Sequence, residues 1–137
     1  MLNILESAAT KSGNKIELIG TPEKGKVLII GVFHGDEPQG KYLIEKYIQN
    51  HTCPPLEESR GKLLFIPCLN PDGLLKNTRC NANGVDLNRN FPTKNWGVNK
   101  GDNATCDDET TAYYGGKSPA SETETKFVID VIEKYQP

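Results

Sequence analysis

The stretch Val27–Glu37, VLIIGVFHGDE, joins an apolar run to a cluster of polar side chains, and its reading sets the frame for the rest of the chain. From Val27 to Phe33 the residues are continuously apolar apart from Gly31 and rich in β-branched types. That is the pattern of a strand buried on both faces, not of one alternating between core and water. His34-Gly35-Asp36-Glu37 follows without a break, at the expected carboxyl end of the strand. Open α/β sheets bind ligands at that edge, because loops converge there over a rigid base. Pro38 suits the first turn of a helix, and Tyr42, Leu43, Ile44, Tyr47 and Ile48 recur at helical spacing up to Asn50. Cys53-Pro54-Pro55 stops that helix.

Leu63–Ile66 reads as a second buried strand, closed by the turn signal Asn70-Pro71-Asp72-Gly73. Upstream, Lys15–Ile19 alternates polar and apolar residues and is expected to be an outer strand ending at Gly20-Thr21-Pro22. Near the C-terminus, Ser121 with Glu124 forms a capping box ahead of the apolar stripe Phe127, Val128, Val131, Ile132 and Tyr135. Between Leu74 and Ala120 the chain is rich in Asn, Asp, Gly and Thr and has little periodicity. So long an irregular stretch in a compact domain is usually functional. Strand, helix, strand, long loop and helix predict an α/β fold, a three-layer α/β/α sandwich around a mixed, mostly parallel sheet.

The chain has 137 residues, which fits a single domain over 1–137. Sixteen basic against eighteen acidic side chains give a formal charge of -2, so a nucleic-acid partner held by bulk electrostatics is not expected. The apolar run is too short to span a bilayer, and no basic segment followed by an apolar stretch marks a secretory signal at the start. A cytoplasmic protein with no membrane partner is expected. The four cysteines, Cys53, Cys68, Cys80 and Cys106, contain no Cys-x-x-Cys pair, and free thiols are expected in a reducing compartment.

His34 and Glu37, three apart at a strand-to-helix turn, can direct an imidazole nitrogen and a carboxylate toward one point. Zinc accepts both donor types. A turn histidine beside a glutamate favoured by a helix dipole would look the same, so the pair alone is weak. The stretch Asn83-Gly84-Val85-Asp86-Leu87-Asn88-Arg89-Asn90-Phe91-Pro92, with Thr78-Arg79 before it, adds polar groups and two arginines able to grip a carboxylate in bidentate fashion. Trp96, Tyr113 and Tyr114 suit packing of the loop at least as well as lining a groove.

His-x-x-Glu after a buried strand, then Asn-Pro-Asp-Gly, Thr-Arg and Gly-Val-Asp-x-Asn-Arg-Asn-Phe together resemble the zinc carboxypeptidase family. The stretch Asn81–Pro92, Asn95-Trp96 and Ser121-Glu122-x-Glu124-Thr125 is most similar to a bacterial branch that acts on murein peptides. The resemblance runs from about Lys26 to the C-terminus. It implies the zinc-exopeptidase fold and one zinc ion with His34 and Glu37 as its first two ligands. It further implies Asp86 as the carboxylate behind the ligand histidine, and Arg79 as the group that polarises the scissile carbonyl and stabilises the oxyanion. Asn88 and Arg89 match the pair that holds the substrate's terminal carboxylate. The implied partner is a peptide with a free carboxylate, a cell-wall peptide cut between γ-D-glutamate and diaminopimelate.

The family's third ligand, a later histidine, and its glutamate base have no match before Pro137. The chain therefore reads as the N-terminal half of a longer enzyme, C-terminally truncated and inactive alone. His51 lies beyond a helix whose rise carries it roughly 20 Å from Glu37, so it is expected to be a helix-end residue. A buried strand left as an edge also implies self-association. Within the enzyme class, an aspartoacylase or succinylglutamate desuccinylase shares the zinc pair and an Asn-Arg pair. Outside it stands a non-catalytic module that binds peptide carboxylates through Arg79, Asn88 and Arg89.

Overall fold

The structure, a computed structural model, describes residues 2–21, 27–50, 63–97 and 113–137. Four strands, β1 (Asn3–Ala9), β2 (Lys15–Gly20), β3 (Val27–Ile30) and β4 (Leu63–Ile66), form one sheet in the order β1-β2-β4-β3. β1 and β2 make an antiparallel hairpin, whose turn is closed by Thr10 N donating to Asn14 O at 2.8 Å and Gly13 N to Thr10 O at 3.0 Å. β2 pairs antiparallel with β4 at Ile19 and Phe65, and β4 pairs parallel with β3 from Val27–Leu63 to Ile30–Ile66. A parallel pair needs a crossover, and helix α1 (Gln39–Asn50) lies in the chain between its two strands.

Alternation along the strands sorts the two faces. Ile16, Leu18, Leu64 and Ile66 are fully buried in one cluster with Phe127, Val128, Val131 and Tyr135 of helix α3 (Thr123–Tyr135). Phe65 points the other way and meets Tyr47 of α1, ring centroids 5.6 Å apart. Helix, sheet and helix are thus the three expected layers of a mixed α/β fold. Among the described strands two pairings are antiparallel and one parallel, and the parallel pair carries the site.

Several local expectations are corrected. β1 had no reading in the sequence, and with it in place β2 lies inside the sheet, not at its outside. β3 ends at Ile30, because Val32 takes a positive φ of 54° and turns the chain away. Among the described residues nothing pairs with the far edge of β3, and Val27 and Ile29 stay 48% and 38% exposed. A continuous apolar run signals a strand suited to cover on both faces, and the described elements cover only part of it.

Asn70-Pro71-Asp72-Gly73 opens a short helix, α2 (Pro71–Lys76), instead of a bare turn. Asn70 caps it by accepting from Gly73 N at 2.9 Å, Pro71 fixes the first φ, and Asn77 closes it in the left-handed region. The capping box at Ser121 and Glu124 does not form. Glu122 is the N-cap residue of α3 and makes no side-chain cap bond, because loop asparagines take these side chains instead.

Cys80 is in a disulfide whose partner lies outside the described residues, against the free thiols expected. Cysteine spacing alone does not tell which thiols meet in the fold. Cys68 is free, and burial pushes its thiol up to about 11. His51, Cys53-Pro54-Pro55 and Cys106 lie outside the described residues. Among the described residues no helix is long and apolar enough to cross a membrane.

The parallel pair and α2 meet at Gly35. A Cβ there would lie 2.0 Å from the carbonyl carbon of Gly73 and 2.3 Å from Leu74 N, both backbone atoms that cannot swing aside. Gly13, with φ +83°, has nothing within 4 Å of where a methyl would sit and serves as control. Gly35→Ala should lose about 1–3 kcal/mol through overpacking, and Gly13→Ala only about 1 kcal/mol from its backbone conformation. Denaturant unfolding of both variants checks this. Equal losses would mean that the α2 contact does not fix the turn.

Candidate active site

The turn after β3 is held from behind by Asn70, which is fully buried. Asn70 N donates to Val32 O at 3.0 Å, and its side-chain amide reaches Phe33 O at 3.4 Å and Arg79 O at 3.3 Å. One side chain thereby links the backbone just before His34 to the backbone of Arg79. Glu37 N donates to His34 O at 3.2 Å, which folds the turn so that both side chains leave it on one side.

His34 is 7% exposed, and its Nε2 lies 3.1 Å from Oδ1 of the fully buried Asp86. The same oxygen accepts from Asn88 N at 2.9 Å, which makes Asp86 the cap of a single 3-10 turn, Leu87–Arg89. Asp86 Oδ2 accepts from Arg79 Nε at 3.0 Å, and Arg79 Nη1 lies 3.9 Å from Glu37 Oε1. Burial works to raise the Asp86 carboxyl, but the His34 bond and the Arg79 charge outweigh it and leave the group below its usual range. The His34 imidazole is raised, chiefly by its bond to Asp86 and against the effect of burial.

These positions fix the tautomer. An ionised Asp86 can only accept, so in the neutral ring His34 Nε2 bears the hydrogen and Nδ1 keeps its lone pair. Nδ1 is buried and has no hydrogen-bond partner. It lies 3.3 Å from Glu37 Oε1 without the alignment of a hydrogen bond. A bare nitrogen lone pair beside a carboxylate oxygen, backed by a carboxylate on the far ring nitrogen, is the donor arrangement zinc takes. Among the described residues no group of three or more His, Cys, Asp or Glu side chains could hold a metal, and His34 with Glu37 makes a pair only.

His34, Glu37, Arg79 and Asp86 therefore converge directly. Asn88 joins them through its backbone, with its side chain exposed. Arg89 donates from Nη1 to Asn88 O at 3.1 Å, and its guanidinium lies 5.0 Å from the ring centroid of Tyr113. Arg79 lies 5.8 Å from the same centroid.

Sequence reasoning missed what holds this loop. Asn81 Nδ2 donates to Glu122 Oε2 at 2.8 Å and Glu124 Oε1 at 3.2 Å, while its Oδ1 accepts from Asn83 N and Val85 N. Asn90 Nδ2 donates to Gly115 O, Ser118 O and Ser121 Oγ, and its Oδ1 accepts from Glu122 N. The hydrogen bonds to Asn83, Asn81 and Ser121 hold Glu122 below its usual range despite burial, whereas burial lifts Glu124 above it. The available signal was the density of asparagine in a stretch without periodicity.

A family profile described as zinc carboxypeptidase matches residues 3–137. Murein peptide amidase A of Escherichia coli K12 is 36% identical over 115 residues, 80% of this chain and 45% of that protein. Its namesake from Vibrio campbellii is 64% identical over 69 residues, 50% of this chain and 26% of that protein. The crystal structure of murein-tripeptide amidase from Escherichia coli O157 superposes with a TM-score of 0.71 at 29% identity, covering 99% of this chain and 56% of that one. The chain spans about half the length, or less, of these relatives.

The His34–Asp86 pair sets a pH signature for metal-free protein. A raised imidazole adds stability that is complete below its unfolded value and lost as pH rises through the folded one. A lowered carboxyl adds stability that is complete above its unfolded value and lost as pH falls through the folded one. Asp86→Asn should therefore cost most in the window from about pH 4 to about pH 6.5, by about 1.5–3 kcal/mol. Unfolding of both proteins across pH checks this, and a pH-independent difference would exclude an ionic pair.

Proposed function

Since the chain belongs to the zinc carboxypeptidase family, we propose that the protein hydrolyses a peptide amide next to a free carboxylate, with one zinc ion at His34 and Glu37. The observation that carries this reading is the orphaned Nδ1 of His34, buried, 3.3 Å from Glu37 Oε1, with Asp86 on the opposite ring nitrogen. The proposed substrate is a murein peptide, cleaved at the γ-D-glutamyl–diaminopimelate bond. Supporting it are relatives named murein peptide amidase A.

Each side chain has a task that its surroundings allow. Asp86 holds the His34 ring in the tautomer that leaves Nδ1 free and makes it a better donor. Glu37, its side chain 62% exposed, offers an oxygen on the same side. Arg79 is anchored by Nε on Asp86, so its terminal nitrogens can face a substrate carbonyl and take up charge developing on its oxygen. Arg89 has no carboxylate partner among the described residues and suits a free substrate carboxylate, with Asn88 exposed beside it. Zinc, when bound, supplies Lewis acidity for the carbonyl and for water.

Zinc sites ordinarily use at least three protein ligands, and the described residues offer two. We expect the 137-residue chain alone to bind zinc weakly, to be silent on murein tripeptide, and to self-associate through the edge of β3 that has no partner strand among the described residues. Calorimetry with zinc and sedimentation of the chain test these expectations. Tight stoichiometric zinc binding by a monomer that turns over would overturn them.

In a form with the complete ligand set, Arg89→Ala should raise KM for free-carboxylate peptides about 10- to 100-fold and leave their amides almost unchanged. Arg79→Ala should instead lower kcat about 10²- to 10³-fold. Murein tripeptide, its C-terminal amide and an N-acyl amino acid are the substrates to compare. Hydrolysis of only the acyl amino acid would move the protein to acylase chemistry.

A further inference from the structure

Tyr113 is 46% exposed, so its aromatic ring gains little from burial. It is nevertheless engaged. The Arg79 guanidinium carbon lies 5.8 Å from its ring centroid and that of Arg89 5.0 Å. Both distances fall within the roughly 6 Å over which an aromatic π cloud attracts a cation.

Two arginines near one another repel, and only one of them is balanced locally. Arg79 has Asp86 at 3.0 Å and Glu37 at 3.9 Å. Arg89 has the Asn88 carbonyl at 3.1 Å and, among the described residues, no carboxylate. A long guanidinium side chain on a 3-10 turn would sample many rotamers unless something limited it. The ring shared with Arg79 is the group in position to do so. Its phenolic oxygen is not needed for this; the π face is.

We propose that Tyr113 is a positioning residue, whose ring holds Arg79 and Arg89 as a pair so that one ligand can meet both guanidiniums, with its carboxylate on Arg89 and its carbonyl oxygen on Arg79. This rests on the carboxylate-clamp reading above and names the residue that sets the spacing of that clamp. The ring restrains Arg89 before the ligand arrives, which reduces the ordering cost of binding. The free carboxylate is the part of the ligand that gains, because Arg79 is already anchored on Asp86.

The stack can be tested on the chain itself, without turnover. Ring currents from Tyr113 should shift the Nε–H and Cδ–H resonances of Arg89, and more weakly those of Arg79, in side-chain NMR spectra. Tyr113→Phe should keep the shifts and Tyr113→Leu should abolish them, with circular dichroism confirming that both variants fold. N-acetylglycine and N-acetylglycinamide then serve as probes by NMR titration. Tyr113→Leu should weaken binding of the carboxylate probe about three- to tenfold, Tyr113→Phe should restore it, and the amide should respond to neither. Absence of ring-current shifts in the unsubstituted chain, or a Tyr113→Leu variant that binds N-acetylglycine as tightly as the parent, would overturn the proposal. Shifts present and lost as expected, with no preference for N-acetylglycine over its amide in any protein, would overturn the clamp that Tyr113 is proposed to space and leave the stack as a structural contact.

Discussion

The buried amide of Asn70 is the constraint on which the site depends. It sits where three backbone segments with unmatched polar groups come together: the turn after β3 at Phe33, the first turn of α2 at Gly73 and the irregular chain at Arg79. A buried carbonyl or N–H without a partner costs roughly 1–3 kcal/mol, so a single side chain that satisfies three such groups holds them together strongly. No regular element spans that gap. β3 has already ended, α2 is a turn and a half long, and the chain leading to Asp86 has no ladder of its own. The distance between His34 and Arg79 is thus set by an asparagine and by the close approach of Gly35 to Gly73.

Electrostatics then uses the geometry so fixed. Asp86 accepts from an imidazole, a guanidinium and a backbone N–H, which is close to the capacity of a carboxylate. That saturation explains why a carboxylate with no exposure remains ionised against its burial. It also makes His34 one-sided, with its hydrogen directed inward and its lone pair outward. Val32, β-branched with φ 54°, adds backbone strain of about 1–3 kcal/mol immediately upstream. Its neighbours over-determine that conformation, since Asn70 N bonds the Val32 carbonyl and the side chain is buried.

How much of this was legible follows from which residues carry periodic information. The apolar runs at Val27 and Leu63 announced strands because cover on both faces leaves no polar positions, and the stripe at Phe127 announced a helix because burial of one face imposes a period. The candidate residues were picked by order and spacing, and His34, Glu37, Arg79 and Asp86 lie beside one another. β1 was not legible: NILESAA has neither a strong alternation nor β-branched enrichment, and it is a strand because β2 offers it an edge. Ser121 and Glu124 fitted a capping box by spacing, but a capping box has to compete with other acceptors and donors. Asn81 and Asn90, distant in sequence, made better use of those side chains. The disulfide at Cys80 was illegible for a related reason, since cysteine spacing alone does not tell which thiols meet in the fold.

The loop itself shows how a site can be built without regular structure. Asn81 and Asn90 each present donors and acceptors at once: Asn81 ties the Glu122 and Glu124 carboxylates to the backbone of Asn83 and Val85, and Asn90 ties the backbone at Gly115 and Ser118 to that of Glu122. Glu122 gathers Asn81, Asn83 and Ser121 on one carboxylate, so the start of α3 is bonded to the loop rather than to its own first turn. The helix, in turn, is fixed to the sheet through Phe127, Val128 and Val131. The route from core to chemistry therefore runs through polar groups: apolar packing orients α3, α3 orients the asparagines, and these hold the turn whose cap is Asp86. Such a network is stringent, because a half-satisfied buried polar cluster is worse than none. That stringency gives a loop of asparagines and glycines one conformation, and with it a histidine lone pair that points in one direction.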